Sequence, residues 1–292
     1  MNPIIPPSEL AIHTDGSVFH LHLKPEQLAD RVVLVGDPSR VTAVASYFDA
    51  QECEVSDREF HTITGRYKGK RITVVSHGIG TDNIDIVLNE LDALANIDFT
   101  TRTIKPEFRQ LSLVRVGTSG GLQPFTPIGS YVAAEKSIGF DGVLYFYGNS
   151  EHVRDTRLEA ELIQQLNWKI KGIRPYVVSA NASLMNQILQ DDGAIVRGMT
   201  IAANGFYGAQ GRKLRLSLAD PELNQKIEAF DYKGKKITNF EMESSSLAGL
   251  AALMGHRAMT VCCIIAGRVS NTMNTDYKPA LEGLIRLVLD RI

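Results

Sequence analysis

The chain is 292 residues long, 44% hydrophobic and 22% charged, a composition that can bury a large core and excludes a disordered tail. Its 31 Lys and Arg against 33 Asp and Glu leave a formal charge of -2, too little positive field to gather nucleic acid or anionic lipid, so neither nucleic acid nor a membrane is an expected partner. Three cysteines, Cys53, Cys262 and Cys263, give no disulfide framework and no C-x-x-C zinc spacing, which points to a reduced, cytoplasmic chain.

In chain order, residues 1–17 read as an extension without a basic or apolar leader pattern. Val32 to Gly36 is a buried strand, followed by the turn GDPSR and a helix over Val41 to Tyr47. Arg71 to Ser76 is a second strand; it runs into HGIG and then a helix with Ile84, Val87, Leu88 and Leu91 on one face. The polar stretch Asn96 to Gln110 reads as a surface insertion. Leu111 to Val116 is a third strand, expected to stop at the glycines of GTSGG. Later strands fall at Ser130 to Ala134, Pro175 to Ser179, Met199 to Ala203 and Met259 to Ile265, with helices near Arg157 to Leu166, Met242 to Leu253 and Pro279 to Ile292. The longest apolar stretch, Ala258 to Gly267, is too short to cross a bilayer. This alternation predicts an α/β fold: a single domain over 18–292, with a central mixed β-sheet flanked by helices.

Ligands of such sheets sit beyond the carboxyl ends of the strands, which makes GDPSR, HGIG and GTSGG candidate walls of a site. Backbone N–H groups plus Arg40 suit an anion. Arg115 lies inside an apolar strand and must meet an anion or an internal carboxylate, because an unpaired charge there is costly. Glu241 and Glu243 of FEMES stand at the start of a helix, where one acid serves as a cap and a second suggests hydroxyl recognition, as of a sugar diol. In FYGAQGR, Phe206 can stack on a planar ring and Gln210 offers a donor and an acceptor to an amide-like edge.

Two rival patterns are present. GTSGG satisfies G-x-S-x-G, so a serine hydrolase with Ser119 as nucleophile is the alternative. Against it, Pro124, Pro127 and Gly129 cannot continue a nucleophile elbow into a helix, and His256 has no obvious acid partner. His20 and His22 would share one face of an extended segment, but no converging acids or thiols are evident, so no metal is expected.

VFHL, GDPSRV, SDREF, GIG, VRVGTSGG, NGFYGAQGR, NFEMES and IIAGR, taken in order from Val18 onward, resemble the nucleoside phosphorylase family, nearest to its uridine-cleaving members. The resemblance implies reversible phosphorolysis of uridine to uracil and ribose 1-phosphate in pyrimidine salvage. It implies a phosphate site of Gly36, Arg40, Arg115 and Thr118, with Arg58 reaching in from a neighbouring subunit. It implies a ribose site of Met242 and Glu243, with His20 from that neighbour, and a base site of Phe206, Gln210, Arg212, Ser119, Gly120, Glu241 and Ile265. Arg268 takes the place of the arginine that helps the base depart, with Arg212 and Gln210 beside it in catalysis. No organic cofactor is implied, phosphate being a co-substrate. A site shared between subunits implies a homo-oligomer, a dimer or a hexamer. A catalytically idle nucleoside-binding relative is the third possibility. His77 stands where the family usually has a small residue, Asn83 where many bacterial members have the serine of a monovalent-cation site, and Asn204-Gly205 where an Asp-Thr pair often precedes Phe-Tyr.

Overall fold

The computed structural model describes residues 3–190, 193–268 and 272–292. Met1 and Asn2 of the expected extension therefore lie outside the described residues.

The first half builds an antiparallel hairpin onto a parallel core. Strand β1 (Arg31–Val35) is buried on both faces and leads into helix α1 (Pro38–Ala45). Asp37 caps that helix, its Oδ1 accepting from Ser39 N at 2.8 Å, and Pro38 supplies a first-turn residue whose missing N–H costs nothing. Strands β2 (Ala50–Asp57), β3 (Phe60–Tyr67) and β4 (Lys70–Ser76) follow. The two-residue turn Lys68-Gly69 joins β3 to β4 with both residues at positive φ. Helix α2 (Thr81–Asn96) buries Ile84, Val87, Leu88 and Leu91 as the spacing predicts. The stretch read as an insertion forms a small hairpin, β5 (Ile97–Asp98) with β6 (Thr103–Ile104), apart from the main sheet. Arg102 at its tip ties down the N-terminal arm: its guanidinium donates to the carbonyls of Ile5, Pro6 and Leu10, and its own carbonyl accepts from Ile5 N.

The second half supplies β7 (Ser112–Gly121), β8 (Tyr131–Gly139), α3 (Thr156–Gln165), β9 (Tyr176–Ser179), α4 (Ala182–Leu189), β10 (Ile195–Ala202), α5 (Leu223–Ala229), β11 (Ile237–Glu241), α6 (Ser244–Met254), β12 (Arg257–Gly267), β13 (Thr272–Met273) and α7 (Lys278–Arg291). Among the described residues these strands form one mixed sheet, β2-β3-β4-β1-β7 on one side and β11-β10-β8-β12 on the other. Because β12 also pairs with β7, the second group closes into a ring of β7, β11, β10, β8 and β12. Helices α1, α4 and α7 share one core with the sheet, α2 and α6 pack against its opposite face, and α3 and α5 cover the ring.

Two differences from the sequence expectation bear on the site. Strand β7 does not stop at GTSGG; it runs through to Gly121 because β12 pairs with it along its whole length. On its other edge, β1 pairs with β7 from Ser112 to Arg115, and pairing resumes only at Gly120 with β11. Residues 116–119 are therefore the place where the sheet splits, and the glycines make the split possible rather than ending the strand. The hairpin strands β2 and β3 were not legible as strands: β2 is an edge strand with mostly exposed residues and no apolar run, so nothing in its pattern marks it.

Candidate active site

The split in the sheet opens into a cavity of about 970 Å³. It collects the ends of β1, β4, β7, β11 and β12, where side chains from distant parts of the chain converge. Gly36, Arg40 and Thr118 line one end, and Phe206, Gln210, Arg212 and Arg268 the other, together with Ser119, Gly120 and Ile265. Arg115, Glu241, Met242 and Glu243 lie on the wall as well. Fourteen of the sixteen expected residues thus meet in one cavity.

The remaining two, Arg58 and His20, are not in it. They meet each other across Phe19: the Arg58 guanidinium lies 5.6 Å from the Phe19 ring centroid, and the His20 ring meets Phe19 edge-on at 4.9 Å. His20 is held by Glu90, whose carboxylate accepts from His20 Nδ1 at 2.6 Å and from the backbone N–H of His20 and Leu21. The segment carrying His20 and His22 is a turn rather than an extended strand, His22 having φ 52°, so the two rings do not share a face. His22 pairs instead with Asp57 at 3.3 Å and stacks on His13. Among the described residues no cluster of His, Cys, Asp and Glu is arranged to hold a metal ion.

Arg115 is the centre of the wall. It is 4% exposed, and each of its nitrogens has a partner: Nε donates to His77 Nε2 at 3.2 Å, one terminal nitrogen to Glu241 Oε2 at 2.9 Å and the other to Glu243 Oε2. Burial opposes its charge, but Glu243 and Glu241 outweigh burial and hold its pKa above the ordinary guanidinium value. Gly117 is required beside it, since a Cβ there would stand 2.6 Å from the guanidinium and 2.9 Å from Cys262 Sγ. Cys262 is no nucleophile: burial pushes its thiol up to about 12.

The two glutamates differ in what they have left to offer. Glu241 accepts from Glu243 N, from Ser244 N and Oγ, and from Arg115, so its oxygens are committed to starting α6 and holding the arginine. Glu243 accepts from Gly80 N at 2.7 Å and from Arg115. A carboxylate has about four acceptor sites, which leaves Glu243 two, the number a vicinal diol needs. Burial, reinforced by Glu241 and opposed by Arg115, raises the Glu243 pKa above the usual carboxylate range. Gly80 belongs to the HGIG turn, whose glycines mark it as a wall in the sequence; its specific task is set by where α6 begins.

The other arginines are unlike Arg115. Arg40 reaches only the Val116 carbonyl, at 3.5 Å, and Arg212 reaches the Phe206 carbonyl and Gln210 Oε1, at 2.7 and 2.5 Å. Arg268 donates to the Gln210 carbonyl at 2.9 Å. None of the three has an ion-pair partner among the described residues. Burial lowers the pKa of each, with the Arg268 charge adding to it at Arg212, which is brought down to about 10. The Arg212 guanidinium also covers one face of the Phe206 ring, 3.8 Å from its centroid, leaving Phe206 a single face for stacking.

Glu59, Ile79, Asn83 and Met273 also line the cavity; of these only Ile79, within the HGIG turn, lies in a segment that the sequence marked as a wall. Ile79 alone carried a signal, an apolar residue between two glycines; the others are brought in by tertiary packing.

No hydrolytic triad assembles. Ser119 Oγ is buried without a hydrogen-bond partner among the described residues, and the chain beyond β7 turns as a loop over Gln123–Thr126, not as a helix. His256 does have an acid partner, Asp92 at 3.1 Å, contrary to the sequence expectation. Its other ring nitrogen accepts from Leu111 N, which places the pair at the opposite end of β7 from Ser119.

Residues 30–282 match the model of the phosphorylase superfamily, and the chain belongs to that superfamily. The uridine phosphorylase of Thermococcus kodakarensis is 30% identical, over 88% of this chain and 80% of that protein. A DeoD-type purine nucleoside phosphorylase of Levilactobacillus brevis is 37% identical, over 93% and 97%. Among solved structures, a Trypanosoma brucei nucleoside phosphorylase described as showing uridine phosphorylase activity is 28% identical and superposes with a TM-score of 0.88, covering 97% of this chain and 98% of that one.

Proposed function

We propose that this chain is a pentosyltransferase that phosphorolyses uridine, reversibly, to uracil and ribose 1-phosphate. The observation that carries the proposal is the distribution of charge in one cavity: unpaired guanidiniums at its two ends and, between them, a carboxylate with two spare acceptor sites. The similarity to uridine phosphorylases over most of the chain supports it.

In this reading phosphate binds at Arg40, Arg115, Thr118 and the Gly36 backbone, and Glu243 accepts from the ribose diol above Met242. The pyrimidine lies on the open face of Phe206, its amide edge on Gln210. Breaking the glycosidic bond places cationic character on the ribose and negative charge on the departing base. Arg212 and Arg268 are cations that burial has left short of counter-charge, so their attraction to the base grows as the bond breaks. Phosphate attacks the anomeric carbon from the opposite face, at a geometry the cavity fixes in advance. The chemistry calls on no resident cofactor. Pyrimidine is preferred to purine because two guanidiniums and an amide would be left without partners by a purine ring.

His20 and Arg58 serve the site of a neighbouring subunit. Their joint position outside their own chain's cavity supports this reading, in which a homodimer is the smallest active unit, whether alone or within a hexamer. The pathway served is pyrimidine salvage in the cytoplasm.

The test is uracil release from uridine, followed by ultraviolet absorbance with and without inorganic phosphate, with inosine in parallel. Release that depends on phosphate, with inosine inert, is the expected result. Uridine left intact in saturating phosphate, or inosine cleaved in its place, overturns the proposal.

A further inference from the structure

The Nε–H of Arg115 is not served by either glutamate. It donates to His77 Nε2, and a nitrogen that accepts carries no proton, so the His77 ring is neutral with its hydrogen on Nδ1. Burial, then Arg115 and Arg40, push the imidazole pKa well below its ordinary value, so this form persists through neutral and mildly acidic solution. The ring is fully buried behind the Gly36 and Gly78 backbone, and its Nδ1 finds no hydrogen-bond partner among the described residues. A histidine placed so deep, with one nitrogen spent on an arginine, is poorly explained as packing alone.

We propose that His77 is a positioning residue: by accepting from Arg115 Nε it fixes the plane of the guanidinium, so that Glu243 keeps its spare acceptor sites turned to the substrate. This rests on the reading of Glu243 as the diol acceptor. A guanidinium held only at its terminal nitrogens can rock about the line joining them; a third bond at Nε removes that freedom. Without an acceptor the buried Nε–H would be unpaired and Arg115 would shift to find one, at the expense of its bonds to the glutamates. The charged and titratable groups around Glu243 are Arg115 on β7, Glu241 on β11 and Cys262 on β12, with His77 and Arg40 beyond Arg115. Of these, Arg115 is the one that bonds Glu243 and favours its ionised form. A displaced Arg115 therefore lets Glu243 take up a proton at higher pH.

The experiment compares the full-length protein with His77→Leu and His77→Gln, measuring kcat/KM for uridine at saturating phosphate as a function of pH. The leucine variant is expected to lose about 10-fold or more, with the acidic limb of the profile moved up by about one unit. Glutamine, whose side-chain carbonyl can accept from Nε, recovers most of both. Equal damage in the two variants, or a leucine variant indistinguishable from wild type, overturns the assignment. If leucine does not fold, His77→Met takes its place, filling the volume with only a weak acceptor. Failure of the wild-type protein to release uracil would count against the proposed function and not against His77, whose imidazole nitrogen shifts by NMR then decide. They are expected to report a neutral Nδ1–H ring from about pH 5 upward; a charged ring or an Nε2–H tautomer overturns the proposal.

Discussion

Two kinds of arginine share this cavity, one buried and one half-buried. Arg115 has a partner at every nitrogen, and its carboxylates raise its pKa; among the described residues Arg212 and Arg268 have only carbonyl or amide acceptors, and burial lowers theirs. The first kind is scaffold, a cation whose field is spent on shaping two glutamates. The second kind is a receptor, a cation whose field is still available to an anion. The difference lies in the acceptors around each side chain rather than in the side chain, and it divides cations already matched by carboxylates from cations left free to meet an anion.

Removing the scaffold arginine should do most damage. Arg115→Ala strands two buried carboxylates, a class of change that costs about 3–5 kcal/mol, so the expected outcome is a large fall in melting temperature together with loss of uracil release. An Arg115→Ala protein of unchanged stability would show that the contrast is false.

A receptor arginine should behave in the opposite way. Arg268→Met is expected to lower kcat by about 10²- to 10³-fold, with a melting temperature equal to wild type or higher. The same logic fixes a sign for Arg212. Its folded pKa, about 10, lies below its unfolded value, so charge on it disfavours the folded state at every pH below 10, and that penalty is relieved as pH rises through the folded pKa. Arg212→Met should accordingly not destabilise the free protein at neutral pH. A clear fall in melting temperature on Arg212→Met at neutral pH would contradict the role given to Arg212.

Gly117→Ala sharpens the comparison by moving the scaffold without deleting it. The new Cβ must displace the Arg115 guanidinium or Cys262, an overpacking that costs about 1–3 kcal/mol; stability and kcat/KM should fall together, as denaturation and steady-state kinetics can show. The smallest effect is expected at Ser119. Ser119→Ala removes a hydroxyl with no partner among the described residues, and a lost neutral hydrogen bond to substrate is worth at most about 10-fold in kcat/KM. Complete inactivation by this change would revive the hydrolase reading.

Much of the site could be read from the chain itself because it sits where buried strands meet glycine and arginine. Arg115 inside an apolar strand demanded a counter-charge, and FEMES contained two acids of which only one was needed as a cap. Glu241 takes the capping part, accepting from the backbone N–H groups of Glu243 and Ser244. What the pattern did not reveal was that Arg115 bonds both acids, that Arg212 lies across Phe206, or that His256 pairs with Asp92 on α2. Each is a contact between segments far apart in sequence, for which local periodicity carries no signal. Strand β2 was hidden for a related reason: an exposed edge strand has no apolar run to betray it and is defined by the partner it pairs with, while β3, buried between β2 and β4, carries its burial on Thr and Gly as much as on apolar residues.

The sequence by itself determined the alternation of strands and helices, the glycine turns at strand ends and the inventory of arginines and glutamates, because these follow from hydrophobic spacing and from the chemistry of single residues. Only the tertiary structure decided that β7 would run on through its glycines while its neighbour changes from β1 to β11, opening the sheet at residues 116–119. It also decided which guanidiniums were neutralised, since a charge is paired or left free by groups that the chain brings alongside it only on folding.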